Sequence, residues 1–160
     1  MLLSDAALTR ILTCDPALPE EAAPALIEAL GKLFVQFQRE GRCGASAVSI
    51  EASGRAIVIA WEGPPLSGCS HDKISQVLSA HESRTGCALL AAPPLLVAVA
   101  GQPRALLRGE LRRLAAAGDI GPEAATWDVR ATTLGGWRMA AGMPLNQSSL
   151  APLLTPPPAA

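Results

Sequence analysis

The residues best equipped for chemistry cluster in Gly63-Pro-Pro-Leu-Ser-Gly-Cys-Ser-His-Asp-Lys73. Gly63, four residues, then Gly68 and a Cys69-Ser70 pair have the spacing of a phosphate loop, with cysteine where the lysine belongs. That replacement removes the chemistry. The lysine brings a cation to the β- and γ-phosphates, and Cys69 brings none. Lys73 stands a helical turn too far along, and Pro64 and Pro65 delete two N–H donors from the cradle. No acid in Leu95 to Gly101 could organise magnesium. Nucleotide hydrolysis is not expected.

Other chemistries fit the same segment. The N–H groups of Cys69, Ser70 and His71 would sit at a helix N-terminus and could hold a small anion together with Ser67 and Gly68. The structural alternative is a cap, with Ser70 closing the terminus and Asp72 already answering the dipole. A thiol at such a terminus is biased toward thiolate, so Cys69 could act as a nucleophile with His71 or Asp72 assisting. Against that, cysteine is often a buried, inert residue, and no Cys-x-x-Cys pair is present. Cys43, Cys69 and His71 with His81 or Cys87 could offer soft metal ligands, but their spacing matches no closed zinc pattern. No metal and no cofactor are expected.

A second stretch, Thr126-Trp-Asp-Val-Arg-Ala-Thr-Thr-Leu-Gly-Gly-Trp-Arg138, carries two tryptophans and two arginines that could line a cleft. Arg130, Trp137 and Arg138 are its candidate ligand-binding residues, the guanidinium groups suiting a carboxylate or phosphate. Alternatively, Trp127 and Trp137 supply apolar bulk to a core short of aromatics.

The elements that must position these residues follow from periodicity. Residues 4–13 read as a short helix, with Leu8, Ile11 and Leu12 on one side. A longer helix is predicted from Pro19 to Arg39 on Leu26, Leu30, Phe34 and Phe37, ended by Gly41. Ser46 to Glu51 and Arg55 to Trp61 alternate and flank Ala52-Ser53-Gly54, which predicts a hairpin with Gly54 at positive φ. Another helix begins near Ser70, with Ile74, Val77, Leu78 and His81 buried, and stops at Gly86. Leu95 to Ala100 reads as a buried strand, Arg104 to Ala117 as a helix, Trp127 to Thr132 as a strand and Gly135-Gly136 as a turn. Together these predict an α+β fold: one domain over residues 1–150, with a largely antiparallel sheet of about four to five strands covered by helices. A flexible Pro/Ala-rich tail is expected over 151–160.

Composition limits the partners. The chain has 160 residues, 49% hydrophobic and only 17% charged, which suits a full core. Net charge is −1, and the densest basic stretch, Arg104 to Arg113, is interrupted by Glu110, so no nucleic acid is expected. Asp5 and Arg10 break any N-terminal apolar run, and Pro93-Pro94 break the most apolar stretch. Neither a signal peptide nor membrane attachment is expected, and the cytoplasm is the expected compartment. The four cysteines are then expected to be thiols.

The strand Ile57-Val-Ile-Ala-Trp61, then Ser67-Gly-Cys-Ser-His-Asp-Lys73, Gly118-Asp-Ile120, Trp127-Asp-Val129, Thr132-Thr133 and Trp137 resemble a group of small uncharacterised bacterial proteins. Their sharpest feature is a Gly-Cys-Ser-x-Asp core, and some are labelled ABC-transporter ATPases. The resemblance spans roughly residues 45–140 and implies no established activity; the ATPase label needs a lysine where Cys69 stands. Three functions follow as expectations: a non-enzymatic protein binding a partner protein or small anionic ligand, a thiol-dependent enzyme, or a homo-oligomeric structural protein. The first is preferred, because no complete catalytic set is visible.

Overall fold

The structure is a computed structural model that describes residues 2–155. Its centre is the strand β3, Ala56–Trp61, all six residues of which are buried. Strand β3 pairs antiparallel on one side with β1, Leu8–Thr13, and on the other with β2, Ser46–Glu51. A central strand covered on both faces is apolar at every position, and Ala-Ile-Val-Ile-Ala-Trp meets that demand.

Its two faces feed two different cores. Ile57, Ile59 and Trp61 point toward α1, Ala23–Arg39, and α2, Gly68–Thr85, where they meet Leu26, Leu30, Phe34, Phe37, Ile74 and Leu78. Burying each such Leu, Ile or Phe contributes about 1.5–3 kcal/mol. Phe34 and Phe37 add an edge-to-face contact at 5.3 Å. Ala56, Val58 and Ala60 point the other way, against Leu96, Leu134 and Trp137. Their small side chains leave room for that second layer.

The layer belongs to a four-stranded antiparallel sheet in the order β5-β4-β6-β7. Here β4 is Leu95–Val99, β5 Gln102–Leu106, β6 Ala125–Trp127 and β7 Met143–Pro144. Leu96 faces the first sheet, while Val97 and Leu106 face α3, Arg108–Ala116, through Leu111 and Leu114. The order of layers is helices, sheet, sheet, helix. The α+β class therefore holds, with the strands split between two sheets instead of gathered into one.

Several local expectations are corrected. Residues 8–13 form a strand, because both of its faces find cover: Leu8 and Leu12 pack on the helix side, and Ile11 on the other. The segment opening at Arg104 is strand β5 first, drawn into the ladder by β4, and α3 starts only at Arg108. Beyond Trp127 the chain turns instead of continuing as a strand. Gly135 and Gly136 lie inside α4, Leu134–Ala140, whose N-cap Thr133 accepts from the Gly136 N–H at 3.2 Å. Gly135 is required there, since a Cβ would come 2.8 Å from the Asp5 Cβ. Tail residues Ala151–Leu154 form a 3-10 turn that buries Leu153 against the α3 core. The rest of the expected tail, 156–160, lies outside the described residues. At the β2–β3 tip, Gly54 has φ +83° and a Cβ there would meet the Leu18 carbonyl oxygen at 2.6 Å.

Candidate functional site

The start of α2 is a closed capping network. Ser67, not Ser70, is the N-cap, its Oγ accepting from the Ser70 N–H at 3.2 Å. The two hydroxyls lie 3.0 Å apart, and Arg42 Nη1 donates to Ser70 Oγ at 3.0 Å. Ser70 is fully buried, so these bonds absorb its polarity. Gly68 and Cys69 are exposed in the first turn.

The expected assistants of Cys69 are engaged elsewhere. The His71 ring stands edge-on to Trp61, 6.1 Å between centroids. Burial pushes its pKa down, and the Arg10 charge pushes the same way, with Asp72 opposing. The His71 carbonyl accepts from Arg10 Nη1 at 3.0 Å. Asp72 is exposed. No hydrogen bond joins the Cys69 thiol to His71 or Asp72 among the described residues. The arrangement presents a thiol to solvent without an aligned base.

The other three cysteines, Cys14, Cys43 and Cys87, are buried. Burial pushes the Cys14 thiol up to about 12, with Cys87 adding and Arg55 opposing. The Cys43 thiol is also raised by burial. His81 is buried with both ring nitrogens occupied: Nδ1 donates to the Val77 carbonyl at 3.0 Å, and Nε2 accepts from Arg84 Nη2 at 2.6 Å. That bonding pattern needs a neutral ring carrying its proton on Nδ1. Among the described residues no three His, Cys, Asp or Glu side chains gather as a metal site.

The second stretch divides between two places. Trp137 is 1% exposed and belongs to the core between the sheets, its Nε1 donating to Glu51 Oε2 at 2.6 Å. Arg138 pairs with Asp5 at 2.6 Å on the surface. Both border a small hollow of about 170 Å³ beside β2. Because α2 covers the opposite face of the first sheet, Trp137 does not join Ser67, Cys69 or Asp72 in one site.

Arg130 and Trp127 line a larger cleft, of about 430 Å³, at the end of the second sheet. Leu95 and Leu96 from β4, Trp127 from β6, Met143 from β7 and Leu150 form its apolar walls. Arg108, Asp128, Arg130 and Ser149 supply most of its charge and polarity. Asp128 Oδ1 accepts from the Arg130 backbone N–H at 3.0 Å, and Arg130 Nη2 donates to Ser149 Oγ at 2.9 Å. The first bond fixes the Arg130 backbone, and the second holds its guanidinium at the rim. A wider, more open hollow of about 680 Å³ also borders Trp127, but Asp119 and Glu123 on its rim oppose an anion.

Sequence reasoning had reached Trp127 and Arg130 and missed Arg108, Met143, Ser149 and Leu150. In the sequence, Arg108 is one more charge in the basic stretch Arg104 to Arg113, with the spacing of an exposed helix face. Its position at the first residue of α3, after β5, is what brings it to the cleft.

Comparison with known protein families, with curated proteins and with solved structures returns no match. No helix among the described residues is long and apolar enough to cross a membrane.

Proposed function

We propose that this protein is a non-enzymatic binding protein, and that the cleft beside Trp127 holds its ligand, a small organic anion. The observation that carries the reading is the cleft itself. Its volume, about 430 Å³, falls in the range of small-molecule sites, and such sites pair apolar walls with a few placed polar groups. Two guanidinium groups on its border favour an anion. The Gly-Cys-Ser-x-Asp family resemblance and a cytoplasmic location belong to the same proposal, the latter supported by four unpaired thiols.

Backbone amide NMR with a mixed library of small carboxylates, alcohols and amines tests the reading. Shifts grouped at Leu95, Trp127, Arg130 and Ser149 are expected. Shifts grouped at Ser67 to Asp72, or no saturable shifts, would contradict it.

A second reading keeps Cys69 as a nucleophile, because it alone of the four cysteines is exposed and it lies in the first turn of an 18-residue helix. It requires His71 to leave Trp61. Cys69 alkylation no faster than that of a thiol in a short unstructured peptide would remove this reading.

A further inference from the structure

We infer that the cleft beside Trp127 selects an organic monocarboxylate with an apolar tail, an inference that rests on the binding reading above. Charge sets the head group. Arg108 has no ion-pair partner among the described residues. Arg130 is only partly answered: Asp128 Oδ1 lies 3.6 Å from its Nε, outside hydrogen-bond distance. Two guanidinium groups against one carboxylate leave the cleft a formal charge of about +1, which one carboxylate neutralises. A phosphate monoester carries about −1.5 to −2 and would leave excess negative charge beside Asp128. The planar guanidinium also matches the two oxygens of a carboxylate.

Shape and chemistry of the walls set the rest. Leu95, Leu96 and Leu150 give aliphatic surface, Met143 an adaptable one, and Trp127 a flat aromatic one. Among these walls only the Trp127 indole N–H can donate, and the hydroxyls that line the cleft are already engaged: Thr126 Oγ1 donates to the Met143 carbonyl, Ser148 Oγ donates to the Leu145 carbonyl, and Ser149 Oγ accepts from Arg130. A sugar acid or a dicarboxylate would leave its extra polar groups unpaired there, which such a site discriminates against.

The test is a titration of the intact protein with octanoate, below its micellar range, followed by tryptophan emission and by calorimetry. Octan-1-ol, octyl phosphate and succinate are the comparison probes, and Trp127→Phe assigns the optical signal. Saturable octanoate binding is expected, at least roughly tenfold tighter than any comparison probe. Arg108→Gln and Arg130→Gln, both at exposed positions, are each expected to weaken it by roughly ten- to a hundredfold, the range for losing a charge-assisted hydrogen bond. Equal binding of octan-1-ol, or octanoate binding unchanged in both arginine variants, would overturn the carboxylate while leaving the cleft as the binding site. Tighter binding of octyl phosphate or succinate would do the same. No saturable change with any probe would overturn both the carboxylate and the cleft.

Discussion

Trp137 Nε1 donates a 2.6 Å hydrogen bond to Glu51 Oε2, tying α4 to the edge strand β2 across the core between the two sheets. The indole is 1% exposed, so its N–H has little water to replace a lost acceptor. Glu51→Ala is expected to cost about 1–3 kcal/mol, the penalty for orphaning a buried donor. Glu51→Gln keeps an acceptor and should cost less. Urea unfolding midpoints measure both, and an unchanged midpoint for Glu51→Ala would contradict the role given to this bond.

The thiols sort by burial. Iodoacetamide at neutral pH is expected to modify Cys69 alone in the folded protein and all four cysteines in urea. Cys14 gives the matching pH dependence. Burial raises it to about 12 in the folded chain, whereas an unfolded thiol titrates near about 8.5. Its contribution to stability is therefore complete below about pH 8.5 and is lost as pH rises from there toward 12. Cys14→Ala should flatten that alkaline decline. Labelling of Cys14 at the rate of Cys69 would refute the placement.

His71 gives the opposite limb. Its folded pKa is lowered, first by burial and then by Arg10. The folded protein therefore takes up the proton less readily than the unfolded chain, whose histidine titrates near about 6.5. The contribution is present above that pH and is lost as pH falls below it. His71→Phe keeps a ring against Trp61 and removes the titration. Its stability should fall less between pH 8 and pH 5 than that of the wild type, and an identical slope would count against the assignment.

Capping and chemistry separate at the start of α2. Ser67→Ala is expected to cost about 0.5–2 kcal/mol, the usual range for a lost N-cap. Cys69→Ala should stay within about 0.5 kcal/mol, because its side chain is exposed. Thermal unfolding distinguishes them. A larger loss for Cys69→Ala than for Ser67→Ala would reverse the reading.

Elements with one uncovered face were the most legible. In α1 the stripe of Leu26, Leu30, Phe34 and Phe37 repeats at helical spacing because only one side meets the sheet. Strand β1 hid itself, since Leu8, Ile11 and Leu12 imitate a helical repeat while serving two faces of a sheet. Strand β5 was masked by Pro103 and Arg104, which an edge strand tolerates and whose pairing with β4 is decided by tertiary contacts. The helix α4 was obscured by its two glycines, of which Gly135 is needed for close approach to Asp5. Within the candidate site, Trp127 and Arg130 were visible because they are close in sequence and chemically distinctive. Arg108 and Leu150 enter the cleft from other segments, and no local pattern announces that meeting.

The most direct test of the account is ¹⁹F NMR of protein carrying 5-fluorotryptophan. The three indoles report on three places: Trp61 beside His71, Trp137 in the core, and Trp127 at the cleft. Octanoate is expected to shift the Trp127 resonance saturably and leave the other two in place, both before and after Cys69 is alkylated. A shift of Trp61 without one of Trp127, or loss of the response on alkylation, would move the site to the start of α2 and contradict the account.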